Sequence, residues 1–274
     1  MGTTTKFTAI ADPPEIAKAN PIHGDAGKKF GYDGAIVAGI STYGWAAAAI
    51  IGELGDDWLD LGWSETQYRA GVYEGDELTT TVSASDDAGS AVDHAASFTI
   101  DQQNADGVAT VIGSCGLGRA PWVDDFELPT NREPQPPSAD GPRLPPDQVP
   151  SFTDYPAMRV NVSRDDAIAW STHRLADTDP RYVDGEHPRV HPSWVPGQMT
   201  PLIRHSFKFG IGVHAIGRVQ HLAPIRAGQH ITVAGRWTDS WEKKGKRWST
   251  TDATFLADDG TELARCRQTV VFLA

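Results

Sequence analysis

The chain has 274 residues and a formal charge of −12, from 24 Lys and Arg against 36 Asp and Glu. That field opposes nonspecific binding to a polyanion or an anionic membrane, so neither nucleic acid nor membrane is an expected partner. With 39% hydrophobic and 22% charged residues, the composition is that of a soluble globular protein, long enough for one large domain or two of ordinary size.

In chain order, the first informative stretch is "NPIHGD" (20–25), which sets His23 between Pro21 and Asp25 in a segment too broken to be mid-helix. "VAGIST" (37–42) leads from it into an Ala-rich segment that predicts a helix from about Ser41 to Leu54. That helix is apolar almost all round and must be buried. Its longest apolar run is far shorter than the roughly 20 residues of a membrane span, and no basic stretch followed by an apolar one stands at the N-terminus, so a cytoplasmic protein is expected. "YRAGVYEGDELTTTV" (68–82) turns at Gly75 into an alternating strand; "SAVDHAASFTI" and "GVATVIGSCGL" predict two more, joined by "NADG".

From 119 to 155 the proline density forbids helix interiors and central strands, which predicts an extended, irregular linker. Beyond it the first half is written again. "DPRYVD" (179–184) faces "NPIHGD", with Tyr182 in the place of His23; "VPGQMT" (195–200) faces "VAGIST"; and "HLAPIRAGQHITVAG" turns at Gly228 into a strand as the earlier segment does at Gly75. "RWSTTDATFLA" and "ELARCRQTVVF" complete the second set of strands. This ordered repeat predicts a tandem duplication with units at 1–118 and 156–274, each a loop, a helix and an antiparallel run of strands. Edge strands of the two units could join, which would remove two exposed edges. Cys115 and Cys266 stand in apolar strand contexts and are expected to be buried free thiols.

The segment "NPIHGDAGKKFGYDGAIVAGIST" followed by "GVYEGDEL" resembles the MaoC-like, R-specific enoyl-CoA hydratases. The resemblance extends over both halves and implies an α+β double hotdog fold, two tandem units each wrapping a sheet around a central helix. It implies a hydratase or dehydratase interconverting a trans-2-enoyl and a 3-hydroxyacyl thioester, with an acyl-CoA or acyl-carrier thioester as substrate and coenzyme A as part of that substrate rather than a cofactor. His23 is then the acid–base residue, its ordinary pKa lying near neutrality, with Asn20 and Asp25 fixing the turn and orienting the ring. The backbone N–H of Gly39, at a helix entry, is the expected oxyanion donor, and the glycine would also admit a tight turn. Two positions depart from the motif. The aspartate expected five residues before His23 is Lys18, and in the second half the acid is present as Asp177 while the histidine is Tyr182. Asp12, Glu15 or Asp25 could supply the missing carboxylate; if the enzyme is instead a weakened hydratase, Lys18→Asp should restore the dyad.

The small residues from Ala46 to Ala49 suggest that an acyl chain lies along the first unit's helix. "WEKKGKRW" (241–248) clusters Lys243, Lys244, Lys246 and Arg247, as the phosphates of coenzyme A would require. His187 and His191 lack a third ligand and their prolines oppose a helix, so no metal is expected. A thioesterase would need a carboxylate on the buried helix, where Glu53 comes late; a noncatalytic acyl-binding subunit, as part of a homodimer or hetero-oligomer, is the other alternative.

Overall fold

The computed structural model of the protein describes residues 2–85, 97–137, 153–208 and 210–273. Its first half contains strand β1 (Thr3–Thr8), helix α1 (Pro14–Ala19), 3-10 turns at Pro21–His23 and Asp25–Phe30, the long helix α2 (Gly39–Leu54) and the single turn α3 (Trp58–Leu61). Strands β2 (Gly62–Tyr68), β3 (Glu77–Ala84), β4 (Ser97–Gln103) and β5 (Ala109–Leu117) follow. The second half opens with the short strands β6 (Thr153–Asp154) and β7 (Met158–Asn161), continues through helices α4 (Arg164–Leu175), α5 (Pro180–Val183), α6 (Trp194–Gly197) and α7 (Met199–Ser206), and ends in four long strands. These are β8 (Ile211–His221), β9 (His230–Lys243), β10 (Lys246–Ala257) and β11 (Glu262–Leu273).

The strands form one antiparallel sheet in the order β1-β3-β4-β5-β2-β8-β11-β10-β9-β6, with β7 also paired to β9. Strands of the two halves are not interleaved. They meet at β2 and β8, in register from Trp63 opposite Gln220 to Gln67 opposite Ile216, and Arg218 lies opposite Glu65 with Nε 3.1 Å from Oε2. Each half thus covers an edge of the other, as two twisted sheets with free edges would otherwise invite aggregation. Gln220 locks the joint: its Nε2 donates to the Gly118 carbonyl at 3.0 Å while its Oε1 accepts from the Ala120 N–H at 2.7 Å.

Helix α2 begins two residues before the sequence places it and is buried along most of its length. Tyr43, Ala47 and Ile50 pack it against Val82, Ile100 and Cys115 of the surrounding strands. Its N-cap, Ala38, has no side chain able to cap; Asp12, from the preceding loop, substitutes for one by accepting from the Ala38 N–H and the Ser41 hydroxyl, both at 2.5 Å. In the second half the corresponding helix is broken into α6 and the eight-residue α7, whose Met199, Leu202 and Ile203 pack on β-strand residues such as Val233 and Phe255. The glycines Gly75 and Gly228 both carry φ of 90°, so the duplicated turns share a left-handed residue that only glycine adopts readily. Cys115 and Cys266 are free and buried on β5 and β11.

The segment expected as an irregular linker is more structured at both ends. Val123–Asp125 is a 3-10 turn, Pro134 bridges Ala157, and Thr153 and Asp154 enter the sheet beside Trp237 and Arg236. Residues 138–152 lie outside the described residues, as does part of the strand expected over 90–100. Strands β1, β2, β7 and β8 are not among those expected from the alternation of residues. No helix among the described residues is long and apolar enough to cross a membrane.

Candidate active site

The turn Pro21–His23 and the start of α2 open onto a cavity of about 680 Å³. Its volume suits a ligand of cofactor or acyl-pantetheine size. One wall comes from the first half, with Asn20, His23, Gly39 and Tyr68; the opposite wall comes from α6, α7 and strands β8, β10 and β11. Neither half encloses this space alone.

His23 is held by its backbone surroundings. Its Nδ1–H donates to the Ile36 carbonyl at 2.8 Å, which leaves Nε2 as the acceptor, and Asn20 Nδ2 lies 3.4 Å from that nitrogen. Asn20 Nδ2 also donates to the Gly212 carbonyl of β8 at 2.7 Å, so the residue ties the turn to the other half. Burial lowers the His23 pKa and outweighs the opposite effects of the Ile36 carbonyl and the Asp12 charge. A neutral imidazole with a lone pair at Nε2 is the form that accepts a proton.

Gly39 and Ile40 begin α2, and neither backbone N–H has an acceptor among the described residues, while Ser41 and Thr42 already donate to the Ala38 carbonyl. Both residues line the cavity. Two such N–H groups at the positive end of a sixteen-residue helix can hold a thioester oxygen as charge develops on it. Gly39 is not required by the backbone angle, contrary to the expected tight turn, since it is not among the positive-φ residues. A Cβ there would stand 2.9 Å from Cε1 of Tyr68, so the glycine makes room for that ring.

Arg174, at the end of α4, completes the first-half wall from the second half. Its Nε donates to the Ser41 hydroxyl at 2.9 Å, its Nη2 lies 3.7 Å from Asp12 Oδ1, and its guanidinium stacks on Trp170 at 4.5 Å. Sequence reasoning did not find Arg174 or Ser41. Nothing local marks them, because their contacts span 133 residues.

Several expected site residues stand elsewhere. Asp25 is exposed and does not line the cavity. Lys18 is exposed on α1, so an aspartate at 18 would face solvent and the expected restoration of a dyad loses its geometric basis. Of the proposed carboxylates only Asp12 acts electrostatically on His23, and its oxygens are engaged in capping α2. Among the described residues, no Asp or Glu lines the cavity. Ala46 is fully buried against the sheet and does not line it either, so the space runs from the first turn of α2 into the second half rather than along the helix. Of the four cations in the β9–β10 hairpin, Lys246 lines the cavity; Lys243, Lys244 and Arg247 do not. Lys244 and Gly245 form the tip with φ of 53° and 71°, the two left-handed residues that a tight hairpin requires. Glu53 accepts from the Thr3 N–H and hydroxyl at the far end of α2, which removes it as a water-activating group.

The second half's acid has a histidine from outside the repeated motif. His191 Nε2 lies 3.6 Å from Asp177 Oδ2, its Nδ1 is 2.9 Å from Ser193 Oγ, and the Tyr182 ring packs on it at 4.8 Å. Both ring nitrogens are therefore occupied, beside a separate cavity of about 280 Å³. His187, the other histidine considered for a metal, instead faces the Ala227 carbonyl at 3.0 Å. No group of three potential ligands able to hold a metal occurs among the described residues.

No family model and no curated protein sequence matches the chain. Solved structures do. A Chloroflexus aurantiacus protein described as a MaoC domain dehydratase aligns over 99% of this chain and 95% of its own, with a TM-score of 0.65 and 12% identity. A Mycobacterium tuberculosis protein described as having a double hotdog fold aligns over 99% and 96%, at 0.59 and 13%. A Lactobacillus plantarum protein described as an oleoyl thioesterase aligns over 99% and 96%, at 0.52 and 12%. Likeness of this kind over the full chain, together with the strand order and the two helix-bearing halves, identifies the architecture as a double hotdog of the kind found in MaoC-like dehydratases and in hotdog thioesterases.

Proposed function

We propose that the protein is a hydratase or dehydratase acting on an enoyl or 3-hydroxyacyl thioester, with an acyl-CoA as the favoured substrate. The observation that carries this reading is the tautomer of His23: with Nδ1–H given to the Ile36 carbonyl, Nε2 is a proton acceptor in the same cavity as the two unpaired N–H groups of Gly39 and Ile40. In the hydration direction His23 Nε2 takes a proton from water as its oxygen bonds to C3. The electron pair of the double bond moves onto the thioester oxygen, where the helix N–H groups hold it. As the carbonyl re-forms, C2 takes the proton back from the imidazolium, and the sum is the addition of one water. Among the described residues no carboxylate lines the cavity, and in this reading one histidine serves both proton transfers. Asn20 Nδ2 orients the ring or the water.

The missing carboxylate equally favours a noncatalytic acyl-thioester-binding protein as the second reading. Incubating the chain with a panel of enoyl-CoA and 3-hydroxyacyl-CoA thioesters, with mass detection of the gain or loss of one water, separates the two. Turnover is expected, reduced about 10²–10⁴-fold in His23→Gln, the usual contribution of a positioned acid–base group. Binding without turnover would establish the second reading, and release of free coenzyme A would establish a thioesterase.

A further inference from the structure

The carboxylate that caps α2 is at odds with the chemistry beside it. Asp12, its side chain 3% exposed, sits at the helix entrance that also holds the free N–H groups of Gly39 and Ile40. Its charge acts on the His23 ring in the direction that favours imidazolium. A buried charge without a partner acts strongly on its neighbours, because no water is there to screen it. Left alone, Asp12 would hold a proton on the ring that has to accept one, and would repel the charge that hydration builds on the thioester oxygen.

The second half answers with Arg174. Its side chain is 8% exposed and its Nη2 lies 3.7 Å from Asp12 Oδ1. Its Nε donates to the Ser41 hydroxyl at 2.9 Å, and the same hydroxyl donates to Asp12 Oδ1 at 2.5 Å, so carboxylate, hydroxyl and guanidinium form one linked set across the two halves. The guanidinium is held from behind as well. It stacks on Trp170 at 4.5 Å, and that indole is fixed by its Nε1–H donating to Ser193 Oγ at 2.9 Å. The end of α4 is tied to α2 itself, where Trp45 Nε1–H donates to the Leu175 carbonyl at 3.1 Å.

Other charged groups stand around the site: Glu15 and Lys18 on α1, Asp25 in the turn that follows, Arg69 after β2, Arg204 on α7 and Lys246 on β10. Among the described residues, the charges that act on His23 are Asp12 and Arg174, and they oppose each other. Glu15 acts on Arg174, after Asp12. The cavity's other titratable rings, Tyr32 and His214, do not act on His23.

We propose that Arg174 is a positioning residue for His23: by holding Asp12 on the helix cap and cancelling its charge, it keeps the imidazole in the proton-accepting form and leaves the helix entrance open to an anionic oxygen. The second half thereby takes part in the chemistry through a side chain that need not touch the reacting atoms. This rests on the reading of His23 as the proton acceptor, but its test needs no turnover.

The test is the titration of His23 in the whole chain without ligand, followed by proton NMR of the imidazole signals, the His23 signal being the one lost in His23→Gln. In Arg174→Met the midpoint should rise, because Asp12 is left without its counter-charge; in Asp12→Asn, which keeps an oxygen to cap α2, it should fall, because Arg174 is left without its own. A merely structural role gives a different pattern. Loosening the helix entrance would admit water, relieve the burial that depresses the ring, and raise the midpoint in both variants. Arg174→Lys keeps the charge but not the planar fork, so it should titrate close to the unaltered chain even where its melting temperature is lower. Opposed shifts, with the lysine variant near the parent, support the proposal. Shifts in the same direction, or none, overturn it, and should Arg174→Met not fold, the sign of the shift in Asp12→Asn decides. Opposed shifts in a chain that turns over no thioester would remove the hydratase reading and leave the control of His23 by Arg174 standing.

Discussion

At the scale of single residues, the orientation of His23 decides what the site can do, and its titration is the accessible check. Burial is the largest influence on the ring and depresses its pKa below the ordinary value of about 6.5. The neutral form is the one that would accept a proton in the proposed hydration. The rate kcat/KM should therefore stay on its plateau as pH falls through 6.5, and decline only at lower pH as the imidazole protonates. A pH profile whose acid limb lies at or above the ordinary histidine value would contradict the buried, backbone-held ring. His23 and Asn20 were legible in the sequence because the motif is local, with all its members inside one turn. The partners of that turn were not. Ile36 and Gly212 act through carbonyls, which every residue possesses, and Arg174 arrives from the other half. Asp25 misled because closeness in a 3-10 turn does not set the direction of a side chain; it points to solvent.

At the scale of elements, α2 couples stability to function at its first residue. Alanine in place of glycine ordinarily favours a helix by about 1 kcal/mol. At Gly39 the added methyl would come within 3.2 Å of three atoms of the Tyr68 ring, itself wedged against His214. Gly39→Ala should consequently lower the melting temperature instead of raising it, and should reduce turnover by displacing the N–H groups; thermal melts and initial rates on the same preparation decide. The helix itself was legible from its unbroken run of small and apolar residues. The counterpart in the second half was not, because "VPGQMT" repeats the pattern of "VAGIST" while Pro196 and the turn at Gln198 divide it into α6 and α7. In both halves the repeated glycine gives way to a ring, Tyr68 over Gly39 and Trp170 over Gly197, which no spacing in the sequence reveals. The hairpin cations are neighbours in sequence, yet of the four Lys246 lines the cavity and Lys243, Lys244 and Arg247 do not.

At the scale of the whole molecule, the halves are joined by more than the β2–β8 ladder. Arg174, Arg181 and Arg189 of the second half reach Asp12, Asp56 and Asp60 of the first, the Arg189 Nη2 donating to Asp60 at 2.8 Å. Near the same joint His221 packs edge-on against Trp58 at 5.3 Å, and burial lowers its pKa to about 4, as it does for His214. An unfolded chain binds protons at these histidines below about pH 6.5, whereas the folded one does not until about pH 4. Stability from these groups is therefore complete above pH 6.5 and is lost progressively as pH falls from there towards 4. The urea midpoint should drop between pH 7 and pH 5 but not between pH 7 and pH 8, and His221→Phe should make that drop smaller. A midpoint rising on acidification would show that the histidines are not buried in the neutral form.

The shared cavity also bears on how a duplicated chain divides its labour. On the proposed function, with one copy supplying the proton-handling turn, the other copy's version of that turn would be released from the chemistry, and it carries Tyr182 in place of a histidine. The same copy cannot be dispensed with, because its strands form the far wall against which the ligand's tail would lie. On the proposed function, proton handling and ligand contact would fall largely in separate stretches of one chain, since both halves line the same cavity. If the proposed function holds, altering which acyl group is accepted would be work for the wall after residue 194, with the first fifty residues left alone, a partition that a single-unit enzyme with both duties in one copy does not offer.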